Sequence, residues 1–213
     1  MLNIKIYIII CDQLMKNKLD QSNILIVTTP MCQEILRLAG ISDFRVTKNQ
    51  DYTNADFAVV LSETKNIENS NTRFIKLKLN TFSQIEQSIK NIIKVLNTEK
   101  RSLRLNKQLK YYYLNSSYSQ SKRNENRKIK VKVYSNFLKE IVEDMGYFII
   151  TDDNYDYLVY PDYLKNEIKK EINFAGEKAI ELPSHKNAPS NPIKRAKIRY
   201  QILEKNLCMK LQT

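Results

Sequence analysis

Residues 24–29, Ile-Leu-Ile-Val-Thr-Thr, run directly into Pro30-Met31-Cys32 and on to Gly40, and this stretch decides the fold. A continuous run of β-branched and aliphatic residues bounded by proline reads as a buried strand. Thr29 followed by Pro30 supplies an N-cap and a first-turn proline, predicting a helix over 30–39. Met31, Ile35 and Leu38 fall on one stripe of that helix, and Gly40 ends it. Short strands follow at Phe44–Thr47 and Asp56–Ser62.

The same grammar returns about a hundred residues later. Ile129–Ser135 reads as a strand and Asn136–Met145 as a helix stopped by Gly146. Phe148–Thr151 and Asp156–Tyr160 read as further strands. Gln33-Glu34-Ile35-Leu36 matches Lys139-Glu140-Ile141-Val142, and Gly40 matches Gly146, both at an offset of 106. Asp56-Phe57-Ala58-Val59 matches Asp156-Tyr157-Leu158-Val159 at an offset of 100. Two generic β-α-β stretches could agree by chance. Order, element length and punctuation all agree, which favours duplication.

Each copy closes alike. Phe74–Leu79 is a strand, and Thr81-Phe82-Ser83-Gln84 is a capping-box pattern. It opens a helix with Phe82, Ile85, Ile89, Ile92 and Leu96 on one face. In the second copy Tyr163–Ile172 reads as a helix and Lys178–Leu182 as a strand. Asn191-Pro192 then starts a last helix with Ile193, Ala196, Tyr200, Leu203 and Leu207 on its apolar stripe. Alternating strands and helices with continuous apolar strands predict parallel sheets covered on both faces. The expected architecture is α/β: two similar Rossmann-like parallel-sheet lobes at 1–98 and 128–213, joined by a basic helical linker at 99–127, with the C-terminal helix packing back. Residues 1–20 suit either a strand or a covering helix.

Composition narrows the function classes. Three glycines among 213 residues leave no GxGxxG or Walker-type phosphate loop. Cys11, Cys32 and Cys208 are too scattered for a zinc cluster or a disulfide framework, so no metal site is assigned. The apolar run Ile4–Ile10 is too short to span a bilayer, and the expectation is a cytoplasmic chain without a membrane partner. The net charge of +12 is uneven: residues 101–132 carry +9, 133–184 carry −6 and 185–213 carry +6.

In open parallel sheets, ligands bind outside the carboxyl ends of the strands. That rule selects Thr28, Thr29 and Ser62 in the first copy, and Ser135, Asn136 and Asp162 in the second. The richest loop is 183–191, with Ser184, His185, Lys186, Asn187, Ser190 and Asn191 leading into Lys194 and Arg195. It holds the only histidine and a helix N-terminus flanked by cations, a pattern suited to a phosphate or carboxylate. A helix capped by Ser190 or Asn191 alone is the plainer alternative. Cys32, in the first turn of its predicted helix, could expose a thiolate, or pack as a small apolar side chain. His185 is the best acid–base candidate on its ordinary pKa. Asp152, Asp153 and Asp162, with Glu63 opposite, could act as acid–base groups or simply form turns.

The sequence therefore supports a binding or accessory protein holding an anionic small molecule or cofactor between two lobes, the cofactor's identity left open. An enzyme using His185 or Cys32 is one alternative. The other is a nucleic-acid binder using Tyr111, Tyr112, Tyr113 and Tyr118 among the linker's basic residues, including Lys122, Arg123, Arg127 and Lys128. A solvated linker is the preferred reading of that stretch. Nothing in the sequence fixes the oligomeric state.

Ile24–Gly40 and Asp56–Ser62, set against Ile129–Gly146 and Asp156–Asp162, resemble the paired lobes of nitrogenase-like and class III substrate-binding proteins. The resemblance is architectural and implies a ligand site in the interlobe cleft. The cluster-ligating cysteines of the nitrogenase-like group are missing except for Cys32. The composition also resembles conserved proteins of methanogenic archaea.

Overall fold

Strand β1 (Ile26–Thr28) forms where the opening stretch predicts it, but the helix behind it begins later and is shorter than expected. The computed structural model describes residues 24–65, 71–97 and 120–208. After β1 come α1 (Gln33–Leu38), β2 (Arg45–Val46), β3 (Phe57–Leu61), β4 (Arg73–Leu77) and α2 (Phe82–Leu96). Helix α3 (Gln120–Asn126) leads into β5 (Lys130–Val133), α4 (Asn136–Asp144), β6 (Phe148–Ile150) and β7 (Tyr157–Pro161). A 3-10 turn at Asp162–Leu164 and helix α5 (Lys169–Ala175) replace the single helix expected over 163–172. Strand β8 (Ala179–Leu182) and helix α6 (Pro192–Cys208) complete the described elements.

The strands form two four-stranded parallel sheets with the same order, β2-β1-β3-β4 and β6-β5-β7-β8. The architecture is α/β with two lobes. Both lobes use the same device to set register. The Asp56 carboxylate accepts from the Leu25 N–H at 2.8 Å, fixing the start of β1 beside β3. The Asp156 carboxylate accepts from the Lys130 N–H at 2.7 Å, doing the same for β5 and β7. Gly40 and Gly146 end their helices at φ of +81° and +89°, the left-handed region that side chains with a Cβ resist. At Gly146 a second constraint applies, because an added Cβ would stand 2.8 Å from the Arg123 Cα of α3. Asn126 anchors the end of α3 by donating to the Met145 carbonyl at 2.7 Å.

Alternation along the strands divides the apolar residues between two faces. On the outer face of the first sheet Val27, Ala58 and Val60 pack with Tyr52, and on that of the second Leu158 and Tyr160 pack with Ile168. The inner faces share one continuous core that runs from lobe to lobe, joining Ile35, Val59, Ile85 and Ile89 to Leu138, Ile141, Val159 and Leu203. Helix α6 bridges the two halves. Its Tyr200 ring packs on Phe82 of α2 at 5.0 Å between centroids, and its hydroxyl donates to Asp144 of α4 at 2.5 Å.

A polar clasp flanks this seam. Thr81 and Gln84 complete the capping box of α2. The Gln84 amide also donates to Glu140 of α4 at 2.9 Å, and Asn80 and Lys78 reach the same carboxylate at 2.8 and 2.6 Å. Burial works against the Glu140 carboxylate, yet these donors from Asn80, Lys78 and Gln84 hold its pKa below the ordinary value. Its contribution is present above the unfolded carboxyl pKa and fades as pH falls below it. Replacing Glu140 by alanine leaves three donors without their acceptor. We expect it to cost about 1–3 kcal/mol in urea unfolding near neutral pH, with a smaller difference from wild type at acid pH.

Candidate functional site

The carboxyl ends of β1, β5, β7 and β8 all lead to loops beside one surface of α6, and the side chains gathered there are chiefly cationic. Arg195 and Arg199 are 1% and 0% exposed, among the largest fully buried side chains of the described residues. They stand one turn apart on α6, at the edge of its apolar stripe. The Arg195 Nη1 donates to the Pro189 and Ser190 carbonyls, both at 3.1 Å. The Arg199 Nε donates to the Pro183 carbonyl at 3.0 Å, and its guanidinium lies 4.7 Å from the centroid of Phe137, in the first turn of α4. The remaining nitrogens, Nε and Nη2 of Arg195 and Nη1 and Nη2 of Arg199, are buried and meet no acceptor among the described residues. The Ser135 hydroxyl, at the N-cap position of α4, is likewise buried without a partner there and makes no cap bond.

Burial lowers both arginine pKa values. That of Arg199 falls to about 10, with the charge of Arg195 adding to the effect and Asp162 opposing it. Both remain charged at neutral pH. Neither makes an ion pair among the described residues, where the salt bridges involve other side chains. Asp162 acts on Arg199 through its charge alone; its Oδ2 accepts from Asn187, and its Oδ1 is buried without a hydrogen-bond partner among the described residues. Burial disfavours its carboxylate, but donation from Asn187 at 2.7 Å and from Ser184 holds its pKa below the usual range.

The structure departs from the sequence reading at Thr29, and at Cys32 and Asn191 it shows the plainer of the alternatives, a core side chain and a capped helix. Thr29 does not cap α1; Cys32 takes the N-cap position without a side-chain bond, and Thr29 accepts the Cys32 N–H in a turn. Cys32 is fully buried, and desolvation pushes its thiol up to about 11, the opposite of a reactive thiolate. His185 stacks near Phe137 at 6.0 Å, and burial plus the charges of Arg195 and Arg199 drive its pKa down to about 4. It is a neutral ring at physiological pH, poorly placed to take a proton. Thr28 is buried within the sheet and donates its hydroxyl to the Val59 carbonyl at 2.8 Å. Asn191 caps α6, accepting from the Ile193 and Lys194 N–H groups at 3.0 and 3.1 Å, which closes that helix end to an anion.

Of the other candidates, Ser184 is buried beside Asp162, while Lys186, Asn187, Ser190, Lys194 and Asn136 are exposed and Ser62 is half-buried. Arg199 is the residue that sequence reasoning missed. Its signal is its spacing of four from Arg195, on the flank of the stripe of Ala196, Tyr200 and Leu203. The tyrosines of the linker lie outside the described residues. Within the described part, Arg123 faces Asp144 at 3.6 Å.

No protein-family model matches the chain, and no curated protein matches it in sequence. Solved structures do share its fold. The laminin-binding protein Lmb of Streptococcus agalactiae, described as having adhesin and metal-transporting activity, aligns with a TM-score of 0.57 at 15% identity, covering 85% of this chain and 100% of that one. The laminin-binding protein Lbp of Streptococcus pyogenes gives 0.57 at 14% identity, with 85% and 100% covered. ZnuA gives 0.57 at 11% identity, with 86% and 100% covered. Of the two architectures that the sequence resembles, the two-lobe substrate-binding one is common to these neighbours. At such identities the likeness is one of fold.

The cationic cluster has two measurable consequences. A His held neutral in the folded state binds its proton only on unfolding, so stability is full above the unfolded pKa of His185 and declines as pH falls from about 6.5 towards 4. The ring is partly solvent-exposed, so the loss is on the order of 1 kcal/mol, and His185→Gln should remove that component from a melting-temperature profile. Replacing Arg199 by methionine trades an uncompensated buried charge for an apolar chain. In anion-free buffer the variant should be as stable as wild type or more stable by about 1–3 kcal/mol.

Proposed function

We propose that this protein binds an anion in the cleft between its two lobes, using the buried guanidinium groups of Arg195 and Arg199. The observation that carries this reading is that four buried guanidinium nitrogens lack any acceptor among the described residues. An isolated buried cation costs several kcal/mol unless it is paired, and an unsatisfied buried donor adds its own penalty. A ligand that supplies negative charge and oxygen acceptors removes both costs, and affinity follows from that removal.

The fold neighbours include proteins described as metal-transporting or Zn(II)-bound, which makes a metal cation the natural competing cargo. The donor chemistry of the described residues does not fit one. Among the described residues no three His, Cys, Asp or Glu side chains converge on a common point. The described histidine sits beside two guanidinium charges, which would repel a cation. Ligand sign is a property of side chains grafted on a fold, and a shared fold does not transfer it.

The full chain, dialysed free of phosphate and sulfate, provides the test. A thermal-shift series with sodium salts of phosphate and small carboxylates would run beside zinc and manganese chlorides. At a hundredfold excess over its Kd, a ligand adds about 2.7 kcal/mol, several degrees in melting temperature for a chain of this size. We expect an anion to produce that shift and Arg199→Met to abolish it. Stabilisation by the metal chlorides alone would overturn the reading.

A further inference from the structure

The pattern of unused nitrogens carries more than the sign of the charge, and the ligand class drawn from it rests on the cleft-anion reading. Arg195 commits only Nη1, to the carbonyls of Pro189 and Ser190. Its Nε and Nη2 meet no acceptor among the described residues, and in the planar guanidinium fork these two share the side-on edge. Arg199 commits only Nε, to the Pro183 carbonyl, which frees Nη1 and Nη2, the end-on edge. Each guanidinium thus keeps one complete two-donor edge, and the carbonyl partners hold each fork in place. The rise of one α-helical turn is about 5.4 Å, so the two forks leave α6 as neighbours. Arg199 rests on Phe137, in the first turn of α4, where the hydroxyl of the adjoining N-cap Ser135 has no partner among the described residues.

A carboxylate carries two oxygens in one plane and fills one such edge. Filling two edges and meeting a hydroxyl with a single group requires more oxygens, spread in three dimensions around one centre. Two buried positive charges, only one of them partly offset by the Asp162 carboxylate, favour an anionic group. We infer that the cleft ligand carries a phosphoryl group, gripped on one side by the side-on edge of Arg195 and on the other by the end-on edge of Arg199, with Ser135 meeting a further oxygen. Free phosphate and a phosphate monoester share this chemistry. The nine-residue helix α4, lacking a side-chain cap, adds the favourable end of its dipole. Cys32 and His185, both uncharged at neutral pH, add no charge of their own beside the group.

The decisive experiment is titration calorimetry on the full chain slightly above neutral pH. The probes are inorganic phosphate, glycerol 3-phosphate, succinate and acetate, against wild type, Arg195→Lys, Arg199→Lys and Ser135→Ala. Lysine keeps the charge and loses the fork, so each lysine variant should weaken phosphate or ester binding by at least about tenfold. Ser135→Ala, which leaves the arginines and their packing intact, should weaken it several-fold (one hydrogen bond, about 1 kcal/mol). Acetate should bind at least about tenfold more weakly than either phosphate probe. Whichever of free phosphate and ester binds tighter identifies the source, and both support the inference. Tighter binding of succinate or acetate, or phosphate binding unchanged in both lysine variants, would overturn the phosphoryl assignment while leaving an anion site. If no anion gives heat and zinc chloride does, both the assignment and the cleft-anion reading fall.

Discussion

Two guanidinium cations lie one turn apart in the interior without an ion pair among the described residues, and most of the local architecture acts to keep them there. Their desolvation alone costs several kcal/mol each even after relaxation. The protein recovers part of this through the carbonyls of Pro183, Pro189 and Ser190 and through the face of Phe137. A cation over a desolvated aromatic ring contributes about 2 kcal/mol or more, but only Arg199 has such a ring, so a deficit remains. The surrounding fold must supply the difference. That difference comes from an apolar core running through both lobes and from helix α6, which is anchored to each of them.

The shared core also constrains motion. Splaying the lobes would expose Leu138, Ile141, Ile85 and Leu203 together and break the clasp on Glu140, so the two halves are held together. A preformed site loses little conformational entropy on binding, which favours affinity for a small ligand with few contacts. The guanidinium forks are oriented before any ligand arrives, because their other nitrogens are already tied to loop carbonyls.

The regular part of this design is legible in the sequence. Strand positions, the Thr81–Gln84 capping box, the glycine stops and the buried stripe of α2 all follow from local patterns, and all appear in the structure. The boundaries that differ do so for tertiary reasons. Pro30 satisfies a first-turn rule, yet the turn closes between Thr29 and Cys32, and Cys32 enters the core instead of facing solvent. Tyr163–Ile172 has helical content, but the Asp162 carboxylate draws Asn187 and Ser184 to the end of β7, and the chain there makes a 3-10 turn before α5. The chemistry of the 183–191 loop is only partly visible in its own residues. Its lysine and its helix end do little, whereas its carbonyls hold arginines that the helical pattern would place at the stripe's border. Burial of an arginine depends on what packs over it, and that information lies in Phe137 and in the lobe opposite.

The two lobes share a strand order and the Asp56 and Asp156 register bonds, yet they make unequal contributions to the cleft. In the first, the turn after β1 delivers Cys32 as an apolar plug, and its short helix starts without a cap bond. In the second, the corresponding turn delivers Ser135 with a free hydroxyl and a helix long enough to carry a dipole. The first lobe therefore presents a buried apolar side chain towards α6 and the second a buried hydroxyl. Helix α6, outside both four-stranded sheets, supplies the charge. New side chains on the bridging helix and its loop would change the chemistry of this surface and leave the strands untouched, because a fold does not fix the groups carried on it.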